Sequence, residues 1–172
     1  MSIDTEDRHE VLRTELAEKP NGVLEEIAAR YGVTVRAVLD ALPAEMCHCC
    51  DGNHFEAVMG NVSGWGDVTF LVHTPDVIME YKGVVPQGRA ARGYYNLEGG
   101  ALGGHLRGEN CAAIYFVRRP FMKLDTRALW FINRDGAAMF KIFVGRNEDR
   151  SLKSDQVECF EMLASQFRGN TQ

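Results

Sequence analysis

The chain has 172 residues, 45% of them hydrophobic and 25% charged, with a formal net charge of −5. That balance suits a soluble globular protein of one well-buried domain, or of one domain with a small appendage, and the acidic excess argues against phosphate binding over the whole surface. The amino terminus, MSIDTEDRHEVLRTEL, has no basic stretch leading into an apolar one, and no apolar run approaches the roughly 18 residues that span a bilayer, so the expectation is a cytoplasmic protein without a membrane segment.

Residues 1–43 read as an N-terminal helical subdomain. Val11, Leu12 and Leu16 form a partial stripe, and KPNG at 19–22 breaks the chain. Asn21 is expected to cap a second helix carrying Val23, Leu24, Ile27 and Ala28, and Gly32 to end it in the left-handed conformation. Thr34 then caps a third helix, whose Val35, Val38, Leu39 and Leu42 recur at the spacing of one buried face. Pro43 closes the unit.

Residues 44–172 form the second region. Its first part, AEMCHCCDGNHFEAVMGN at 44–61, has weak periodicity and reads as a link. From about residue 62, runs rich in Val, Phe, Tyr and Ile alternate with Gly, Asn and Asp, which predicts strands over 67–73, 77–82, 103–108, 111–119, 128–133 and 137–144. NRDG at 133–136 joins the last two as a tight hairpin. A final helix over about 152–167 aligns Val157, Phe160, Leu163, Ala164 and Phe167 on one face. Helices, then strands without crossover helices, then a helix describe an α+β fold with a largely antiparallel sheet.

Residues 27–42, IAARYGVTVRAVLDAL, have the spacing of a helix-turn-helix. Residues 1–43 nevertheless carry nine acids against five bases, and the third helix offers only Arg36 as a cation, so nucleic acid is not an expected partner and a transcriptional regulator is the weakest reading. Five cysteines in a chain without an export signal read as reduced thiols. CHCC at 47–50 gives Cys47 and Cys50 CxxC spacing, but no second ligand couple follows, so Cys47, Cys49 and Cys50 read as oxidation-prone surface thiols of a linker. Cys111 and Cys159 read as small core residues. GYYNLEGGALGGH at 93–105 lacks the Gly-Lys-Ser/Thr of a phosphate loop; its glycines fit turns, or backbone that approaches a flat ligand. No catalytic set emerges. His9 is read as a solvated helical residue, and His48 and His54 as part of the link. His73 and His105 sit in strand context, where a histidine is ordinarily a polar residue on a sheet face and exceptionally a ligand.

The segments VHTPDVIMEYKGVVPQG, GYYNLEG, GGHLRGENCAAIYFVRRPFMKLDTRALWFINRDGAAMFKIFVGRNEDR and LKSDQVECFEMLA together resemble the HutX/ChuX/ShuX family of cytosolic haem-utilisation proteins. The resemblance implies N-terminal helices, a large curved antiparallel sheet and a C-terminal helix packed on it, like one half of the longer HemS/ChuS-type proteins. It implies a homodimer that binds haem as cargo and passes it to a downstream acceptor, with no chemistry of its own; a haem-degrading enzyme is the alternative that the longer relatives raise. It places the haem-binding histidines at His73 and His105. On that reading Phe70, Tyr94, Tyr95 and Phe116 are expected to cover the porphyrin, and rim arginines, with Arg89 and Arg92 as candidates, to pair with its propionates. The MCHCC stretch departs from the family pattern.

Overall fold

The computed structural model describes residues 5–168. Three short helices open the chain: α1 (Thr5–Glu18), α2 (Leu24–Tyr31) and α3 (Val35–Ala41). Thr34 caps α3 through its hydroxyl, which accepts from the Ala37 N–H at 3.1 Å, and Gly32 ends α2 at φ 62°. Asn21 does not cap α2: the capping position is Val23, whose side chain has no acceptor to offer. Leu12, Leu16, Leu24, Val38 and Leu39 are buried together with Tyr115, Val117, Trp130 and Ile132, so the apolar stripes of these helices cover one face of a sheet. Arg36, the cation of the helix-turn-helix reading, lies half-buried beside Tyr115, and the Tyr115 hydroxyl donates to Asp40 at 2.6 Å. The third helix is thereby turned toward the sheet.

The sheet has six antiparallel strands in the order β1-β7-β8-β9-β2-β3, formed by β1 (Cys47–Asp51), β2 (Asp67–His73), β3 (Ile78–Val84), β7 (Cys111–Phe121), β8 (Leu124–Asn133) and β9 (Ala138–Phe143). Its second face is covered by α4 (Phe55–Val62) and α5 (Ser154–Phe167), which bury Phe55, Val58, Met59, Phe160 and Leu163 against Ile114, Phe116, Leu129 and Phe131. Each such fully buried large side chain stabilises the fold by about 1.5–3 kcal/mol. Between β3 and β7 lies a second antiparallel sheet, β4 (Arg89–Ala91), β5 (Tyr94–Leu97) and β6 (Gly104–Leu106).

Besides the Asn21 cap, the structure corrects the reading of the middle of the chain. The supposed link at 44–61 contains edge strand β1 and most of α4. Its thiols are not surface groups of a linker: Cys50 is buried, Cys47 and Cys49 are half-buried, and burial pushes Cys47 and Cys50 up to about 12. The strand expected at 103–108 belongs to the small sheet, whose other two strands fall in the glycine-rich tract and the stretch before it.

The β8–β9 hairpin turns at Gly136, φ 81°. A β-carbon there would come within 3.0 Å of the Thr34 side chain, and the Gly136 carbonyl accepts from the Arg36 N–H. The turn is glycine both for its backbone angle and for its docking on the start of α3.

Candidate functional site

The alternation of β2 decides where His73 points. Val68, Phe70 and Val72 join the core under α4 and α5, so Thr69, Leu71 and His73 face the N-terminal helices. There the His73 Nδ1 lies 3.4 Å from the Glu25 carboxylate, which comes from the first turn of α2. The same carboxylate forms an ion pair with the buried Lys141 of β9, whose ammonium sits 3.8 Å above the Trp130 ring. Burial lowers the Lys141 pKa, and the charge of Glu25 opposes that shift. Arg119 of β7 is also buried, is pushed down to about 10 by burial, and donates to the carbonyls of Pro20 and Gly22. His73 thus belongs to a buried charge cluster that ties α2 and the loop before it to three strands.

His105 stands in different company. It is exposed on β6, directly opposite Asn96 of β5. Its Nδ1 lies 2.7 Å from the Asn96 Oδ1. The Asn96 amide nitrogen meets the carbonyl oxygens of Arg89, Ala91 and Tyr94 at 3.0, 3.1 and 3.2 Å, which fixes which end of the amide faces His105. An amide oxygen only accepts, so the proton of neutral His105 is on Nδ1 and the lone pair is on Nε2. Tyr94 stands edge-on to the His105 ring at 5.8 Å, and Arg107 donates to the Tyr94 hydroxyl at 2.7 Å while covering its ring at 4.7 Å.

The two histidines stand on different sheets, His73 on the six-stranded one and His105 on the three-stranded one. On its own sheet His73 pairs with Ile78 of the outer strand β3, two residues beyond the last β2–β9 pair, Leu71 with Lys141. Three strand spacings, roughly 14 Å, separate β2 from β7. Among the described residues, no hydrogen bond, ion pair or ring contact joins His73 to His105. Of the aromatic residues expected to cover a porphyrin, Phe70, Tyr95 and Phe116 are core residues, and only Tyr94 is partly open. It borders a cleft of about 730 Å³ whose lining includes Asp51, Glu56, Glu109 and Arg134. That excess of acids sets the cleft against a dianion. Arg89 and Arg92 are exposed.

His48 is a structural histidine. Its ring stacks on Phe116 at 5.0 Å, its Nε2 meets the Ala164 carbonyl at 3.2 Å, and its Nδ1 faces Arg118. Both nitrogens are occupied. Among the described residues, no group of three or more His, Cys, Asp or Glu side chains is arranged to hold a bare metal ion. Sequence reasoning missed the partners of both candidate ligands. Asn96 had a readable signal, since Tyr94 and Asn96 alternate on one face of a short strand just before the His105 segment. Glu25 had none, because an acid in a helix's first turn already has a local explanation in the helix dipole.

The model of the haem-utilisation ChuX/HutX family matches residues 48–163. The chain belongs to that family. It is 36% identical over 155 residues to the intracellular heme transport protein HutX of Vibrio cholerae, covering 89% of this chain and 80% of that one. A solved structure of the heme-binding protein ChuX superimposes with TM-score 0.84 at 41% identity, covering 90% of this chain and 97% of the other. The Escherichia coli heme oxygenase ChuS matches with TM-score 0.73 at 15% identity, over 89% of this chain but 47% of ChuS, which shows a shared fold. The N-terminal helices, large antiparallel sheet and C-terminal helix are thus the architecture of the ChuX/HutX family, and of about half of a ChuS-like chain.

Proposed function

We propose that this chain is a haem-binding carrier that holds haem as cargo through His73 and His105 and yields it to a downstream acceptor. The observation that carries the reading is at His105, whose Nδ1 meets an amide oxygen that can only accept, leaving Nε2 as a lone-pair donor for iron; His73 lies with its Nδ1 3.4 Å from the Glu25 carboxylate. Kinship with proteins named for heme transport and heme binding supports it. The burial of Phe70, Tyr95 and Phe116 further implies that the porphyrin lies on an open surface, a geometry suited to release.

The working form is a cytoplasmic homodimer. Two imidazoles on separate sheets of one chain find a common iron more readily with a second copy present, and a match to half of a longer chain accords with pairing of two such units. The carrier reading excludes turnover of the porphyrin. Haemin titration followed at the Soret band tests ligation: His73→Ala and His105→Ala should each lower affinity or move the band, and an unchanged double variant would remove both residues from the site. Reductant and air added to the haem complex should leave the Soret band standing; its loss with release of a linear tetrapyrrole would make the protein an enzyme. Light scattering with and without haemin reads the dimer.

A further inference from the structure

We propose that Asn96 is the positioning residue for His105, holding the imidazole in its Nδ1–H tautomer and aiming Nε2 outward. The proposal rests on the reading of His105 as a haem ligand, and its test separates the two. The geometry is over-determined. Asn96 and His105 are direct partners across the β5–β6 ladder, so their β-carbons are held at a fixed short separation by the backbone. The amide cannot turn over, because its nitrogen is committed to three carbonyl oxygens, two of them on β4 or beside it. Turning it would set its oxygen against those three carbonyls. The amide oxygen therefore remains 2.7 Å from Nδ1, and Nδ1 must donate.

The consequence is chemical. An exposed histidine in water exchanges freely between two tautomers and rotates about two torsions. Only the Nδ1–H form has a lone pair on the outward nitrogen. A carbonyl acceptor on Nδ1 selects that form, fixes the ring plane and raises the basicity of Nε2, as outer partners of metal-bound histidines generally do. The edge-on Tyr94 ring limits the remaining rotation, and Arg107 pins Tyr94 in turn. The chain His105–Asn96–β4 carbonyls lies wholly inside the three-stranded sheet, which rests on the core through Tyr95 and Leu97.

The test reads the tautomer in the haem-free protein at a pH where histidine is neutral. Long-range 1H–15N correlations, with His105 assigned by its absence in His105→Gln, should show Nδ1 protonated and Nε2 bare. Asn96→Leu keeps the shape but removes the acceptor; it should give a mixture of tautomers and release haemin about tenfold faster, the low end of what such partners supply. Asn96→Asp keeps the acceptor and loses the donors to the three carbonyls; it should retain the Nδ1–H form and release haemin more slowly than Asn96→Leu. This variant carries the test even if Asn96→Leu loosens the small sheet. An Nδ1–H tautomer that persists in Asn96→Leu, or equal haemin release from the two variants, overturns the proposal. If His105→Ala binds haemin like the wild type, the ligand reading fails while the tautomer result still stands or falls on the apo spectra.

Discussion

His73 and His105 each turn Nδ1 toward an oxygen, but in unlike surroundings. His73 is fixed by a carboxylate from another region of the chain, inside a buried cluster that also holds Lys141 and Arg119. His105 is fixed by a neutral amide nine residues away, on an exposed strand of a small sheet. The first arrangement ties His73 to the packing of the N-terminal helices: whatever lifts α2 from the sheet also takes away its neighbour Glu25. The second is local to three short paired strands, whose β5 packs Tyr95 and Leu97 into the core. If both histidines hold haem, one of them leans on the docking of α2 and the other on a small sheet that rests on the core through Tyr95 and Leu97.

Breaking the ionic side should cost the most. Glu25→Ala removes the carboxylate that attracts the buried Lys141 and Arg119, and a buried pair broken on one side typically loses about 3–5 kcal/mol, because the remaining charge is left in a poorly solvating interior. Urea unfolding should show that loss as a lower midpoint. Glu25→Leu combined with Lys141→Met should recover most of it, since an apolar pair of similar size makes no demand for a counter-charge. Recovery no better than additive would mean that Glu25 acts chiefly elsewhere.

On the local side the effects shrink. Asn96→Ala strips the hydrogen bonds that link β5 to β4 and β6 but leaves their partners within reach of water, so a loss of about 1–2 kcal/mol is expected. His105→Ala removes an exposed ring and should change the unfolding free energy by no more than about 0.5 kcal/mol, while its effect on haemin binding is large. His73→Ala should instead lower both together. If the two variants prove equally destabilising, the contrast between a histidine that leans on α2 and one on the small sheet fails.

The legible parts of the chain were those in which a single period carries the signal. The stripes of α3 and α5, the apolar runs of β7–β9 and the Gly136 turn all satisfy local rules that the tertiary structure also uses. Strand β1 was not legible, because CHCCD holds no β-branched or aromatic residue; it becomes a strand by pairing with β7, residue for residue from Cys47 against Val117 to Asp51 against Ala113. Strands β4 and β5 were hidden by brevity, three and four residues near glycines, while β6 falls inside the strand expected at 103–108. The two candidate ligands could be named from family resemblance, but what holds them could not be named alike. Asn96 follows once β5 and β6 are paired, whereas Glu25 depends on how α2 docks, which no local pattern encodes. The aromatic residues expected at the porphyrin show the same limit: Phe70 and Phe116 alternate onto the core face, and hydrophobicity alone does not say which face holds the ligand.

His48 supplies the contrast that sharpens the comparison least in size but most in kind. It is a histidine with both nitrogens engaged, and burial holds its pKa below the ordinary value of 6.5, with Arg118 adding to the effect and the Ala164 carbonyl opposing it. The sign follows from linkage. The unfolded chain binds a proton at His48 more readily than the folded one, so the stability associated with neutral His48 is fully present above pH 6.5 and is lost as pH falls below 6.5 toward and through its lower folded value. The paired carboxylate of Glu161, whose pKa is lowered chiefly by its hydrogen bond to Arg118, loses its contribution only in a more acid window, below its ordinary value of 4.5. Melting temperatures between pH 7.5 and 5.5 should therefore fall in the wild type, and His48→Phe, which keeps the stack on Phe116 but cannot titrate, should flatten that slope. An unchanged slope would show that the acid sensitivity in this range belongs to another histidine. Haemin affinity measured at pH 7.5 should be the same in His48→Phe as in the wild type, because a ring whose two nitrogens face Ala164 and Arg118 has none to offer iron.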